Sequence, residues 1–430
     1  MKRLTLIFLL VTGPLMAADF QPTDQIELRI IDPASDRGQL GRAVAITGDT
    51  AWFGAPEADD LKGRTWRSRI DASGGFGPLT SVQTSGESPR RFGDDIAVDG
   101  DWAVVSYFSD QRFDIYRRSN GNWMFVRGQE APDVPDIDIR GMAQDIDLKD
   151  DLLVVGAAAS NVEGVGNAGA VLVFRRDFGG AGNWGLEDVL IAPSLSSGND
   201  FAAAVSGSGD IIAVGDEVSE IVYIYRFDNG TWGFDRTLSP VGQTTDDNFG
   251  ISVAVENDIV AVGAINGNDA PSPTNSGSVH LFQRDSGGAG SFGQIDQLYP
   301  STPEGIDRYG EVVVLNDGVL VVGAPGANQA YAYANLATGW EEIAFLVPPA
   351  DEDFFNALFG SDVDYDDGRI LVGAQRWDDL TREDEDGAVF IFQDDAIVAC
   401  GDLSAIFCDR FENRQRRQDE PAGRRGAGRL

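Results

Sequence analysis

Few residues in this chain have the types and spacing for chemistry. His280, in "SVHLFQR", is the single histidine, and a lone strand histidine serves packing or surface far more often than proton transfer or ligation. A Ser-His-Asp arrangement could be built only around it, and no nucleophile elbow is present. Zinc sites made of His and Cys fail on number, and no GxxxxGK(S/T) phosphate loop occurs. Carboxylates remain, 69 acidic residues against 33 basic ones. Asp362 and Asp364 alternate, as do Asp145 and Asp147, and Asp95 stands in a similar setting. Alternate residues of a strand share one face, so these five aspartates form a candidate patch for a cation such as calcium, which takes several oxygen ligands. The bland alternative is acids that are simply solvated. Paired carboxylates about 5 to 9 Å apart also perform glycoside chemistry, but among 69 acids no pair stands out.

What must position these aspartates is a repeat. The glycines of "WFGAP", "VVGAA", "AVGDE", "AVGAI", "VVGAP" and "LVGAQ" are Gly54, Gly156, Gly215, Gly263, Gly323 and Gly373, with Ser106 of "VVSYF" filling the second place. Successive spacings are 52, 50, 59, 48, 60 and 50 residues, which makes seven units. Fourteen residues before each anchor stands a large apolar residue: Leu40, Phe92, Met142, Phe201, Phe249, Tyr309 and Phe359. The next residue is always small, Gly or Ala, and three further on comes a β-branched one, from Val44 to Val363. Self-similarity at this period is the mark of a repeat architecture.

Each unit reads as four strands. The first ends at a Gly, Asn or Asp pair such as Gly48-Asp49 or Asn257-Asp258, pairs that suit a two-residue hairpin. The second is almost wholly apolar, as in "LLVVG", implying burial on both faces. A third follows a variable loop, and a fourth is opened by an aromatic: Trp123, Trp184, Trp232 and Trp340 recur at matching places and read as inter-blade packing. The seventh unit lacks a fourth strand, while residues 25–33, "QIELRIIDP", resemble one ahead of the first unit. The expectation is an all-β, seven-bladed β-propeller of four-stranded antiparallel blades, closed by that N-terminal strand, which removes a long exposed edge. In propellers the first strand lies nearest the central channel, so Asp95, Asp145, Asp147, Asp362 and Asp364 are placed beside it.

The phrases "FG" (Phe249-Gly250, Phe359-Gly360) and "VGAP" (Val322 to Pro325) resemble the FG-GAP repeat over about residues 25 to 395. That resemblance implies the seven-bladed propeller of integrin α-subunits and of many secreted bacterial proteins. Integrin-type repeats commonly carry a DxDxDG calcium loop between the first and second strands. Here the junction is a two-residue turn in every unit, too short to wrap an ion that wants six to eight oxygens, so those loops are not carried over.

The ends read differently. Lys2 and Arg3, a short apolar run from Leu4 to Val11, and Met16-Ala17-Ala18 have the order of a signal peptide over residues 1–18. No stretch is long enough for a membrane span. The propeller is assigned to residues 19–396, and residues 397–430 to a Cys-containing segment with a basic, Gly-rich tail. In an oxidising compartment Cys400 and Cys408 close one small disulfide loop, the alternative being two unpaired thiols. The phrase "IFCDRFE" is similar to a short ending of some exported bacterial proteins, with Arg410 where Gly is usual.

A formal net charge of −36 repels nucleic acid and anionic membrane. The sequence therefore reads as a monomeric, secreted or surface-associated, non-enzymatic binding or adhesion propeller that engages a protein or glycan through loops of varying length on a constant scaffold. An extracellular carbohydrate-active hydrolase or lyase, and a purely structural surface component, are the alternatives.

Overall fold

In the computed structural model the described residues are 22–27 (backbone only), 38–71, 74–85, 90–198, 200–241, 247–267, 275–348, 357–377 and 387–393. They form seven four-stranded antiparallel sheets, each with its strands in chain order from the centre outward, except that the last takes its outer strand from the N-terminus. The first strands of blades one to seven are Ala43–Thr47, Phe92–Asp99, Met142–Lys149, Val205–Ser208, Phe249–Glu256, Val312–Asn316 and Phe359–Asp366. All seven turns to the second strand have two residues, and their first residue is left-handed, from Gly48 at φ 54 to Asp367 at φ 46. This is the turn geometry that matches the twist of the paired strands.

The second strands are apolar because both faces are covered: Leu152–Ala157 and Val319–Ala324 are buried at every position. The core consists of seven layers, one at each junction between blades, including the seam where Leu40, Val44 and Phe53 of blade one meet Leu371 and Val389 of blade seven. The outer-strand tryptophans belong to these layers. Trp123 meets Trp52 of the preceding blade edge-on at 5.0 Å, and Trp184 meets Trp102 at 5.5 Å.

The repeat's two halves meet across junctions. Gly310, left-handed at φ 90, turns its carbonyl onto Gly263 of the preceding blade, where a Cβ would overlap it. The same approach recurs at every anchor glycine, with the left-handed small residue of the next blade supplying the carbonyl. Two of the small residues are alanines in this left-handed state, Ala143 at φ 64 and Ala202 at φ 71. At the second anchor Ser106 is buried, and its Oγ accepts the N–H of Asp95 at 2.9 Å.

Closure by the N-terminal strand is as expected. The pairing strand is described over Pro22–Glu27 and runs antiparallel to Ala388–Gln393 with Asp24 opposite Ile391 and Ile26 opposite Val389; of the expected residues 25–33, residues 28–33 lie outside the described residues. Residues 1–21, 28–37 and 394–430 lie outside the described residues, and so do the expectations for the leader, for Cys400 and Cys408, and for the tail. Among the described residues no helix is long and apolar enough to cross a membrane.

Candidate functional site: the central channel and the rim

The first strands of all seven blades enclose a cavity of about 410 Å³. Asp95, Asp145, Asp147, Asp362 and Asp364 all line it, although they come from blades two, three and seven. The carboxylates do not point freely into the lumen. Asp95 accepts the backbone N–H of Ile146 at 2.7 Å, Asp145 that of Val205 at 2.6 Å, and Asp147 that of Gly207 at 2.7 Å together with the Ser206 hydroxyl at 2.8 Å. Asp362 and Asp364 accept the N–H groups of Val44 and Ile46 at 2.6 and 2.7 Å. In each case a side chain on one first strand binds the backbone of the next, across a junction that has no sheet ladder of its own.

Other residue types fill the same register elsewhere. Ser206 accepts the Val255 N–H at 2.9 Å, Glu256 accepts those of Asp317 and Gly318 at 2.6 and 2.9 Å, and the Asn316 amide donates to the Tyr365 carbonyl at 3.0 Å. Sequence reasoning noted that Asp366 alternates with Asp362 and Asp364 but passed over Ser206, Glu256 and Asn316 because it sought clusters of aspartates. The available signal was a polar residue at alternating positions of the first strand, whatever its charge. Two cations were also missed. Arg42 lines one end of the cavity, and at the hairpin end Lys149 of blade three crosses to Asn316 of blade six, donating at 2.6 Å.

Enclosure by protein raises the affinity of these carboxyls for protons. Asp95 and Asp364 are pushed up to about 7, foremost by desolvation, which outweighs their backbone hydrogen bonds. Asp145 is held well above its ordinary value by burial and then by Asp95, Asp362 likewise by burial with Asp95 and Asp364 adding to it, and Asp147 is raised. All five are only half-buried by area. Among the described residues no three acidic, histidine or cysteine side chains converge as a metal ion would need.

One test follows for Asp145. Asparagine keeps an acceptor for the Val205 N–H without the cost of a buried charge, so Asp145→Asn is expected to raise the thermal midpoint at pH 8. Asp145→Ala removes the acceptor and is expected to cost about 1–3 kcal/mol at pH 5.5, the penalty of a buried unsatisfied donor. Calorimetry of both variants checks the pair.

His280 lies away from the channel. It is buried in the third strand of blade five, 3.1 Å from the Ser278 hydroxyl and edge-on to Phe249 at 5.4 Å. The outer tryptophans are buried too, consistent with packing and unlike an exposed sugar platform. The acidic runs 351–353 and 383–386 lie outside the described residues.

Two open clefts lie on the rim between blades two and three, about 620 and 490 Å³ in volume and sharing Ala131 and Ile139. The link after the outer strand of blade two forms them, pinned by a short ladder in which Ile137 pairs with Val162 and Asp138 with Asn161. Their walls are polar and carry Asp110, Arg112, Glu130, Asp133 and Asp136.

Residues 232–282, from the outer strand of blade four to the third strand of blade five, match the FG-GAP repeat family. No curated protein matches. Among solved structures, streptogramin B lyase is similar with a TM-score of 0.53 at 13% identity, over 87% of this chain and 98% of that one. A protein from Lactobacillus plantarum gives 0.48 at 16% identity over 72% and 85% of the two chains. A putative 6-phosphogluconolactonase from Bacteroides uniformis gives 0.48 at 11%, over the same shares. At these identities the likeness is one of fold.

Proposed function

Starting from a chain that is an FG-GAP-type seven-bladed β-propeller, we propose that it is a secreted or surface-associated, non-enzymatic binding protein that engages a protein or glycan through its rim loops. The observation that carries this reading is a division of labour between the channel and the rim. In the channel, the five aspartates singled out by sequence are tied to backbone amides of neighbouring blades. On the rim, the clefts between blades two and three are open, polar and built from a link and a loop, the segments that carry function on rigid scaffolds. Export of the chain is part of the same proposal, and a mature N-terminus following Ala18 in secreted material would support it.

The test is binding of labelled residues 19–430 to cells and to purified polysaccharides and surface proteins, in calcium and in EDTA. Saturable binding supports the reading, and loss of it in EDTA would add a cation to the site. Glu130 and Asp133 are exposed in the clefts, so Glu130→Ala with Asp133→Ala is expected to weaken binding about tenfold or more, as loss of interface anchors does, with an unchanged thermal midpoint. A second reading, a carbohydrate-active hydrolase or lyase, draws on the raised proton affinity of Asp95 and Asp145, a common property of catalytic acids. Release of sugar products from the same panel would favour it over binding alone.

A further inference from the structure

The ring closes between blade seven and blade one, and this seam is tied at its inner edge unlike the other six. Asp362, Asp364 and Asp366 alternate along one strand and accept the N–H groups of Val44, Ile46 and Gly48 at 2.6, 2.7 and 2.5 Å. The junctions from blade two to three and from three to four each use two aspartates, Asp95 with Asp99 and Asp145 with Asp147. Blade four uses serines, blade five Ser252 and Glu256, and blade six the neutral amide of Asn316. Blade one has Ala43, Ala45 and Thr47 at these places, and among the described residues none of the three makes such a bond.

Along the strand each of the three carboxylates stands roughly 7 Å from the next. That is inside a Debye length, and here the wall of the channel replaces much of the screening water. The charged groups facing them are few. Asp95 of blade two adds to the charge at Asp362; Asp317 of blade six and Asp367 of the same turn add to it at Asp366. On the positive side Arg42 acts on Asp95, and Lys149, already bonded to Asn316, acts on Asp364 and Asp366. Arg369 reaches the Gly48 carbonyl at 3.3 Å and Asp367 at 3.7 Å.

We propose that this three-carboxylate clasp makes the seam a pH-sensitive joint: protonated, it holds blade one against blade seven, and ionised, three charges held out of bulk water favour opening of this seam over the junction tied by the neutral Asn316 amide. Burial, which lifts Asp364 to about 7, Asp362 well up and Asp366 upward, sets the direction. The closed seam binds more protons than the open one, so the opening constant rises with pH. A carboxyl titrating near 7 when closed and near 3.8 when open raises that constant about thirty-fold between pH 5.5 and 8.5.

Hydrogen–deuterium exchange of the full chain at those two pH values, corrected for intrinsic exchange rate, tests this. Peptides spanning residues 42–48 are expected to lose at least about tenfold in protection, while peptides over 312–316, next to the neutral Asn316 tie, hold theirs. Asp364→Asn, which keeps the acceptor and removes the charge, is expected to preserve protection of 42–48 at pH 8.5. Unchanged protection of 42–48 in the unmodified chain would overturn the proposal. Equal loss in both segments would do so too, since it would report repulsion across the whole acidic protein. The unmodified chain decides the matter even if the variant does not fold.

Discussion

Gly263→Val is expected to leave little folded propeller. The position is an anchor of the repeat, and a Cβ there would overlap the Gly310 carbonyl oxygen and crowd the Ser252 hydroxyl. The obstacle is backbone, not the end of a flexible side chain, so relief requires blades five and six to separate. That separation would open the layer in which Val279 and Leu281 pack against Tyr309, Val322 and Tyr331, and overpacking of such a site costs on the order of 3 kcal/mol or more. Gly233→Ala is the matched control. Gly233 is exposed on the outer strand of blade four with nothing within 4 Å of an added Cβ, and its substitution is expected to stay within about 0.5 kcal/mol. Soluble yield and thermal unfolding of the two variants read the difference. Normal stability for Gly263→Val would mean that the junction does not close as tightly as described.

Removal of residues 1–27 has the second large expected effect. Without Pro22–Glu27 the last blade keeps three strands, and Ala388–Gln393, an apolar "AVFIFQ", presents an unpaired edge. Several net backbone hydrogen bonds at about 0.5–1.5 kcal/mol each are lost, so the cost is roughly 3–5 kcal/mol. An exposed apolar edge also recruits other strands. The expected result, compared with residues 19–430, is a lower thermal midpoint together with concentration-dependent oligomers in size-exclusion chromatography. Because the inner clasp of Asp362, Asp364 and Asp366 remains, lowering the pH from 8 to 5.5 is expected to recover part of the loss. A truncated chain that stays monomeric with an unchanged midpoint would show that the outer strand contributes little to closure.

The channel carboxylates also bear on the whole protein's pH response. Raised carboxyls such as Asp95 and Asp364 give stability that is fully present below about 3.8, the ordinary aspartate value, and lost as pH rises through about 7. Asp49 and Asp210 act in the opposite sense. Burial works against their ionisation, but Arg69 and Arg118 for the one, and Arg284 and Arg226 for the other, more than offset it and lower both. Their contribution falls away in acid, so the two sets together place the most stable range at mildly acidic pH.

By itself the sequence determined what repeats locally. The seven-fold register, the two-residue turns, the apolar second strands and the need for a closing N-terminal strand all follow from residue types at fixed offsets, because φ/ψ preference and burial act along the chain. Even the face carrying Asp362 and Asp364 was legible, since side chains alternate on a strand. The tertiary structure decided what meets across a junction. It set Gly310 on Gly263, the Asp145 carboxylate on the Val205 amide, and Lys149 on Asn316 across the channel. These partners lie from 47 to 167 residues apart, and their meeting depends on how far each blade is rotated about the ring. That rotation is set by all seven packed layers at once and by no single segment. The same physics explains the candidate site. Sequence located the aspartates at the channel, but whether an oxygen there is open to a ligand or held by an amide turns on the backbone of the adjacent blade, which only the closed ring brings within reach.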